Sequence, residues 1–305
     1  MSTTNVWIWD METYPNFTSV TLYNPYTRIF KQAYDYEDGP ATNVRELLLS
    51  FNNTSTILVG YNSHMFDDIL FAYIIGTGNY SPNLLYELAQ NIIESSKNRS
   101  IWRNDIMKYK PKTKFVSIDL YQLFNPVDRV SLKKLSVSLK APVVQDLPYE
   151  HTHMVQISEI QGILDYNKGD CIRTNMVYVA LYDEIALRFK IGPIYGLTNI
   201  LSSCRSKLSK QFLAKMYSDT TGIPYNQFKD LRTNYDSIKF SECISPIVKF
   251  KSENLNNLLS KLKSMEFSGK VKFEESVLIG NTTYTMAAGG LHSEHEPTIL
   301  ASTGL

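Results

Sequence analysis

Near its N-terminus the chain carries an unbroken apolar run, Val6-Trp7-Ile8-Trp9, that gives way at once to Asp10-Met11-Glu12. A short, uninterrupted apolar stretch suits a strand covered on both faces. Residues 6–12 therefore read as a buried strand whose end carries two acids. Residues 17–22 and 28–33, parted by Asn24-Pro25, read as two more strands of a meander. Residues 43–51 take helical spacing, with Leu47, Leu48 and Phe51 on one face. A short apolar strand at 55–61, a helix at 66–75 and a strand at 115–124, rich in β-branched and aromatic residues, follow. Three meander strands and then strands alternating with helices predict an α/β fold, a mixed sheet covered by helices.

Residues 131–139 are predicted helical, as are residues 158 to about 190. The second of these opens on a Ser158-x-x-Gln161 capping-box pattern and ends at Gly192-Pro193. Further helices are expected at 197–217 and 253–265, with hairpin-like pieces at 270–286. A length of 305 residues exceeds the usual single domain. The expected division is 1–192, holding the main sheet, and 193–305, a smaller, mainly helical region.

The net charge of +1 hides an asymmetry. Residues 1–96 hold ten acids against three bases, whereas 97–114 hold seven bases against Asp105 alone. An acidic region beside a basic one suits metal ions beside a polyanion. The basic segment also interleaves Trp102, Tyr109 and Phe115, a mixture suited to phosphate contact with base stacking. Cys171, Cys204 and Cys243 lack the paired spacing of zinc sites or disulfide frameworks, and are expected to be buried thiols in a reducing compartment. Residues 1–5 have no basic-then-apolar order, and the longest apolar stretch, 69–75, is too short to span a bilayer. A soluble, cytoplasmic protein without membrane contact is the expectation.

Three short patterns carry chemistry. Asp10 and Glu12 stand two apart, and the period of two puts both carboxylates on one face of the strand. In Gly60-Tyr61-Asn62-Ser63-His64-Met65-Phe66-Asp67-Asp68, an apolar strand ends, an amide follows, and Asp67 or Asp68 opens the next helix. Tyr166 and Asp170, four apart, share one helical face. Gly169 costs a helix interior about 1 kcal/mol relative to alanine, which implies the close approach of another group.

In this order, on a strand, a strand-to-helix junction and a helix, the patterns resemble the three exonuclease motifs of the DEDDy class, found in the proofreading domains of family B DNA polymerases. The matches are Asp10-x-Glu12 with Thr13, Asn62-x3-Phe66-Asp67, and Tyr166-x3-Asp170. They cover residues 1 to about 190 and look most like the bacteriophage branch. The resemblance implies an RNase H-like sheet of five strands and 3′-5′ hydrolysis of DNA by two divalent cations, Mg2+ or Mn2+. It selects Asp67 over Asp68, because its acid directly follows the aromatic residue. It also implies that Asp10 bridges both ions, that Glu12 and Asp170 bind the one activating water, and that Asp67 holds the other. Tyr166 would orient the attacking water, while Thr13, Asn62 and Phe66 would grip the single-stranded 3′ end. Phe66 reads equally well as a core aromatic.

Phosphodiester hydrolysis needs charge neutralisation, an activated water and a stabilised leaving oxygen, which two cations about 4 Å apart supply. Magnesium and manganese prefer hard oxygen ligands, hence carboxylates. Ser131-Leu132-Lys133-Lys134-Leu135 resembles a helix common in these exonucleases, and Ala288-Gly289-Gly290-Leu291-His292-Ser293 the connector before the polymerase palm. The palm's own motifs do not occur by Leu305, so a palm-bearing polypeptide, in cis or in trans, is the expected partner. His292 and His295 lack the frame of a zinc site. A processing exoribonuclease on the same fold, and a non-catalytic polymerase scaffold, are the alternatives.

Overall fold

Strand β1 (Val6–Tyr14) runs two residues past the end expected for it, and lies at the centre of a five-stranded sheet. The structure is a computed structural model describing residues 5–37, 39–77, 80–97, 113–231, 235–268, 273–287 and 290–294. β2 (Phe17–Tyr23) and β3 (Phe30–Tyr36) extend the sheet antiparallel on one side. β4 (Ile57–Gly60) and β5 (Val116–Asp119) extend it parallel on the other, giving the order β3-β2-β1-β4-β5. The molecule is thus α/β with a mixed sheet flanked by helices.

Alternation along β1 assigns its side chains to two layers. Trp7, Trp9 and Met11 face helices α1 (Val44–Phe51), α2 (Asp67–Thr77) and α3 (Pro82–Lys97). There Trp9 meets Phe71 and Phe115 edge-on, at 5.7 and 6.3 Å between ring centres. Such aromatic pairs add about 1 kcal/mol each beyond their buried area. Phe115, from the basic segment, is therefore a core residue, while Trp102, Tyr109 and the bases between 98 and 112 lie outside the described residues. Val6 and Ile8 face the opposite layer, where Cys171 and Val177 pack against them. Asp10 and Glu12 fall on this second face by the same alternation.

The predicted strand at 115–124 stops at Asp119, whose side chain accepts the Tyr121 N–H and turns residues Leu120–Leu123 into the short helix α4. Helix α5 (Leu132–Ser138) follows, capped by Ser131. The long helix expected to about 190 is two, α6 (Ile160–Ala180) and α7 (Tyr182–Tyr195). The capping box sits at Gln156 and Glu159 instead of Ser158 and Gln161. Pro193 is accommodated inside α7, which ends at Gly196 in a left-handed conformation. Helix α3 is an element that the sequence patterns above do not anticipate.

The division expected at residue 192 also moves, since the two compact units are 1–225 and 226–305. Arg188, fully buried in α7, donates to the Ser203 carbonyl at 2.7 and 3.0 Å, and Ile200 is buried against Gly192. These bonds tie the chain beyond 192, including α8 (Arg205–Thr221), to the first unit.

The second unit is mixed rather than mainly helical. It contains the two-stranded pair β6 (Ile238–Lys239) and β7 (Glu266–Phe267), and α9 (Phe240–Cys243). α10 (Glu253–Lys263) buries Leu258 and Leu262 against Val277 of a three-stranded meander. The meander comprises β8 (Glu274–Ile279), β9 (Thr282–Ala287) and β10 (Gly290–Glu294). Ala288 and Gly289 of the connector pattern, and His295, lie outside the described residues. Cys171 and Cys204 are buried, but Cys243 is exposed. No helix among the described residues is long and apolar enough to cross a membrane.

Candidate metal centre

The pairing of β1 is asymmetric. It bonds β2 along Ile8 to Tyr14, yet bonds β4 only from Val6 to Ile8, because β4 ends at Gly60. Beyond Ile8 the backbone of β1 therefore has an open side at the carboxyl end of the parallel strands, where ligands of α/β sheets bind. Gly60 permits the tight turn that follows, since a Cβ there would stand 2.5 Å from that of Ser63.

Asp10 and Glu12 come from β1 and Asp170 from α6, which packs across that face of the sheet. One carboxylate oxygen from each lies within 4.8 Å of the others, the only such group of metal-ligating side chains among the described residues. Asp67 stands beside this triad. Its Oδ1 accepts the Met11 N–H at 3.2 Å, on the side of β1 that β4 leaves open. Asp68, the competing acid, turns the other way and accepts from the Ser117 hydroxyl at 2.7 Å.

Burial is the largest influence on these acids. It raises Asp10 well above the usual carboxylate range, and Asp67, Asp170 and Glu12 add to the effect while Arg173 opposes it. Glu12 is pushed up to about 8 by burial, then by Asp170 and Asp67, with the nearby Asn167 amide opposing the shift. Asp67 rises through burial and its neighbour Asp68. An oxygen-only donor set, buried and mutually repelling, is able to hold a metal ion and suits a hard cation. Burial, followed by the charge of Asp170, also lifts the Tyr166 phenol above its ordinary range, so the hydroxyl stays protonated beside Asp170.

Asn62, exposed and left-handed with φ 64°, donates its N–H to Asp119 Oδ1 at 2.8 Å. Asn tolerates that conformation better than most residues. Phe66 is partly buried against the Trp7–Trp9 layer, so part of its ring belongs to the core. Thr13 is buried on the opposite face of β1 from Asp10 and Glu12, and is not gathered into the triad.

Three residues of this site escape the motif patterns. Asn167 donates to Asp10 Oδ2 at 2.7 Å, and its Oδ1 is buried with no partner among the described residues. Arg173, also buried, donates two N–H groups to Asp170. Asp119 holds the Asn62 turn. Only Asp170-x-x-Arg173, an opposite-charge pair at helical spacing, leaves a local trace in the sequence.

The raised carboxylates predict a pH dependence. Between pH 4.5 and about 8 the folded chain retains a proton on Glu12 that the unfolded chain has lost. Stability without divalent cations is greatest below that window and falls as pH rises through it. Melting curves in EDTA should show the midpoint dropping from about pH 5 to pH 8. A divalent cation held by these acids would displace those protons, so added Mg2+ should raise the midpoint more at the upper end. A midpoint in EDTA that climbs over this range would refute the assignment of a proton-holding cluster.

Compared with protein-family models, with curated proteins and with solved structures, the chain matches none, so the chemistry of the site is argued from its own geometry.

Proposed function

We propose that the protein is a metal-dependent 3′-5′ exodeoxyribonuclease of the proofreading type, acting on single-stranded 3′ ends of DNA alongside a polymerase palm in cis or in trans. The observation that carries this reading is the convergence of Asp10, Glu12 and Asp170 within 4.8 Å, with Asp67 held beside them. The strand order and mixed directions of the sheet are compatible with an RNase H-like fold, which is part of the proposal.

Two Mg2+ or Mn2+ ions held by Asp10, Glu12, Asp67 and Asp170 would neutralise the phosphate, activate water and stabilise the leaving 3′ oxygen. Asp10 and Glu12 present their oxygens from a strand locked on one side to β2, which limits their movement. Asp67 is oriented by the Met11 N–H, which occupies one of its oxygens and leaves the other for binding. Tyr166 acts by its hydroxyl, protonated at neutral pH, and so orients water without removing its proton. Asn62 and the exposed part of Phe66 lie on the turn leading into Asp67, where they meet the terminal nucleotide.

The reading is tested with labelled oligonucleotides, DNA against RNA, single strand against blunt duplex, with and without Mg2+. Single-stranded DNA should be shortened from its 3′ end faster than duplex, because separating the terminal nucleotide costs a few kcal/mol. With deoxynucleotides and a primer-template present, the chain alone should shorten the primer and never lengthen it. Preference for RNA would transfer the site to RNA processing. Absence of any cleavage with Mg2+ or Mn2+ would leave only the scaffold alternative.

A further inference from the structure

The buried guanidinium of Arg173 has no part in the chemistry assigned above, yet it lies against two of the groups that do. Its Nε and Nη2 donate to Asp170 Oδ1 at 3.0 and 2.7 Å, and its central carbon stands 5.7 Å from the centre of the Tyr166 ring. Arg173 is 3% exposed, and a buried cation persists only where its charge and its donors are matched. Both of its hydrogen bonds among the described residues go to the same carboxylate oxygen. Two N–H groups from one rigid plane converge on that oxygen and hold it in place with two bonds where a single donor would supply one.

Gly169 completes the arrangement. A Cβ at this position would stand 3.0 Å from Nη1 and 3.4 Å from Nη2 of Arg173. The close approach that a mid-helix glycine implies is therefore that of the guanidinium.

We infer that Arg173 is a positioning residue of the metal centre, setting the Asp170 carboxylate and the Tyr166 ring so that the triad is formed before a cation arrives. This deepens the nuclease reading and rests on it for the role of the triad. Charge alone argues for the reverse effect. A fixed positive charge beside acids weakens their attraction for a cation, so removing it would tighten metal binding. Orientation acts in the other direction, since the hydrogen-bond partners of ligating groups contribute about 10- to 100-fold to metal affinity. The two effects differ in sign, and one measurement separates them.

Mn2+ is titrated into the full chain without nucleic acid, and the free ion is followed by electron paramagnetic resonance. Arg173→Met should lower the affinity by about tenfold or more. Arg173→Lys, which restores the charge but not the plane of donors, should recover only part of it. Gly169→Ala keeps the guanidinium and its charge but crowds it, and should lower the affinity in the same direction by a smaller factor. Gly169→Ala also favours the helix, so it carries the test if Arg173→Met fails to fold. Binding by Arg173→Met as tight as the wild type, or tighter, would overturn the positioning role and leave Arg173 a charge-balancing group. A wild-type chain that binds no Mn2+ would overturn the metal centre itself, and this inference with it.

Discussion

Asp10→Ala should lower 3′-end cleavage of single-stranded DNA by about 100- to 1000-fold, the usual cost of losing one preorganised electrostatic group. Asp10 is the acid most entangled with the others, raised by Asp67, Asp170 and Glu12 together. It also receives the Asn167 amide, so its loss disturbs both the triad and the hydrogen bond that orients it. The same substitution should leave the metal-free fold intact or make it more stable, since one of several mutually repelling acids is gone. Loss of activity with a retained or raised melting temperature in EDTA distinguishes a functional cluster from a structural one. Near-normal cleavage by the variant would sink the nuclease assignment.

Asp119→Ala should cost about 3 kcal/mol and lower the melting temperature by roughly 6 to 12 °C, through three backbone donors that lose their acceptor. Asp119 is fully buried and accepts the N–H groups of Asn62 at 2.8 Å, Tyr121 at 3.0 Å and His64 at 3.3 Å. It thereby ends β5, starts α4 and holds the left-handed turn at Asn62. Releasing that turn should raise KM for single-stranded DNA more than it lowers kcat, because the proposed function gives Asn62 and Phe66 a binding role. Asp119→Asn keeps one acceptor oxygen and should fall between wild type and Asp119→Ala. Thermal melts and steady-state kinetics on the same preparations check both parts. A melting temperature within about 2 °C of wild type for Asp119→Ala would show that water replaces the carboxylate at no cost.

The local periodicities of the chain are enough to place Asp10 with Glu12, and Tyr166 with Asp170. Two residues apart in a strand, or four apart in a helix, means one shared face whatever surrounds it. The same repeats locate the five strands of the main sheet and most of its helices, because burial of an apolar face dictates their spacing. Tertiary structure decided the rest. The resemblance preferred Asp67 to Asp68, but what holds Asp67 beside the triad is the Met11 N–H, left open because β4 ends at Gly60, a consequence of strand pairing. The extent of β5 was set by the Asp119 side chain, and the chain just beyond 192 was kept in the first unit by an unbroken α7 and by Arg188 reaching Ser203. Thr13 fell on the far face of β1, since adjacency in sequence separates side chains across a sheet. Asn167 entered the site through a hydrogen bond and burial, which belong to the packed chain and have no period along it, and Arg173, spaced three from Asp170, showed its charge pairing but not its burial.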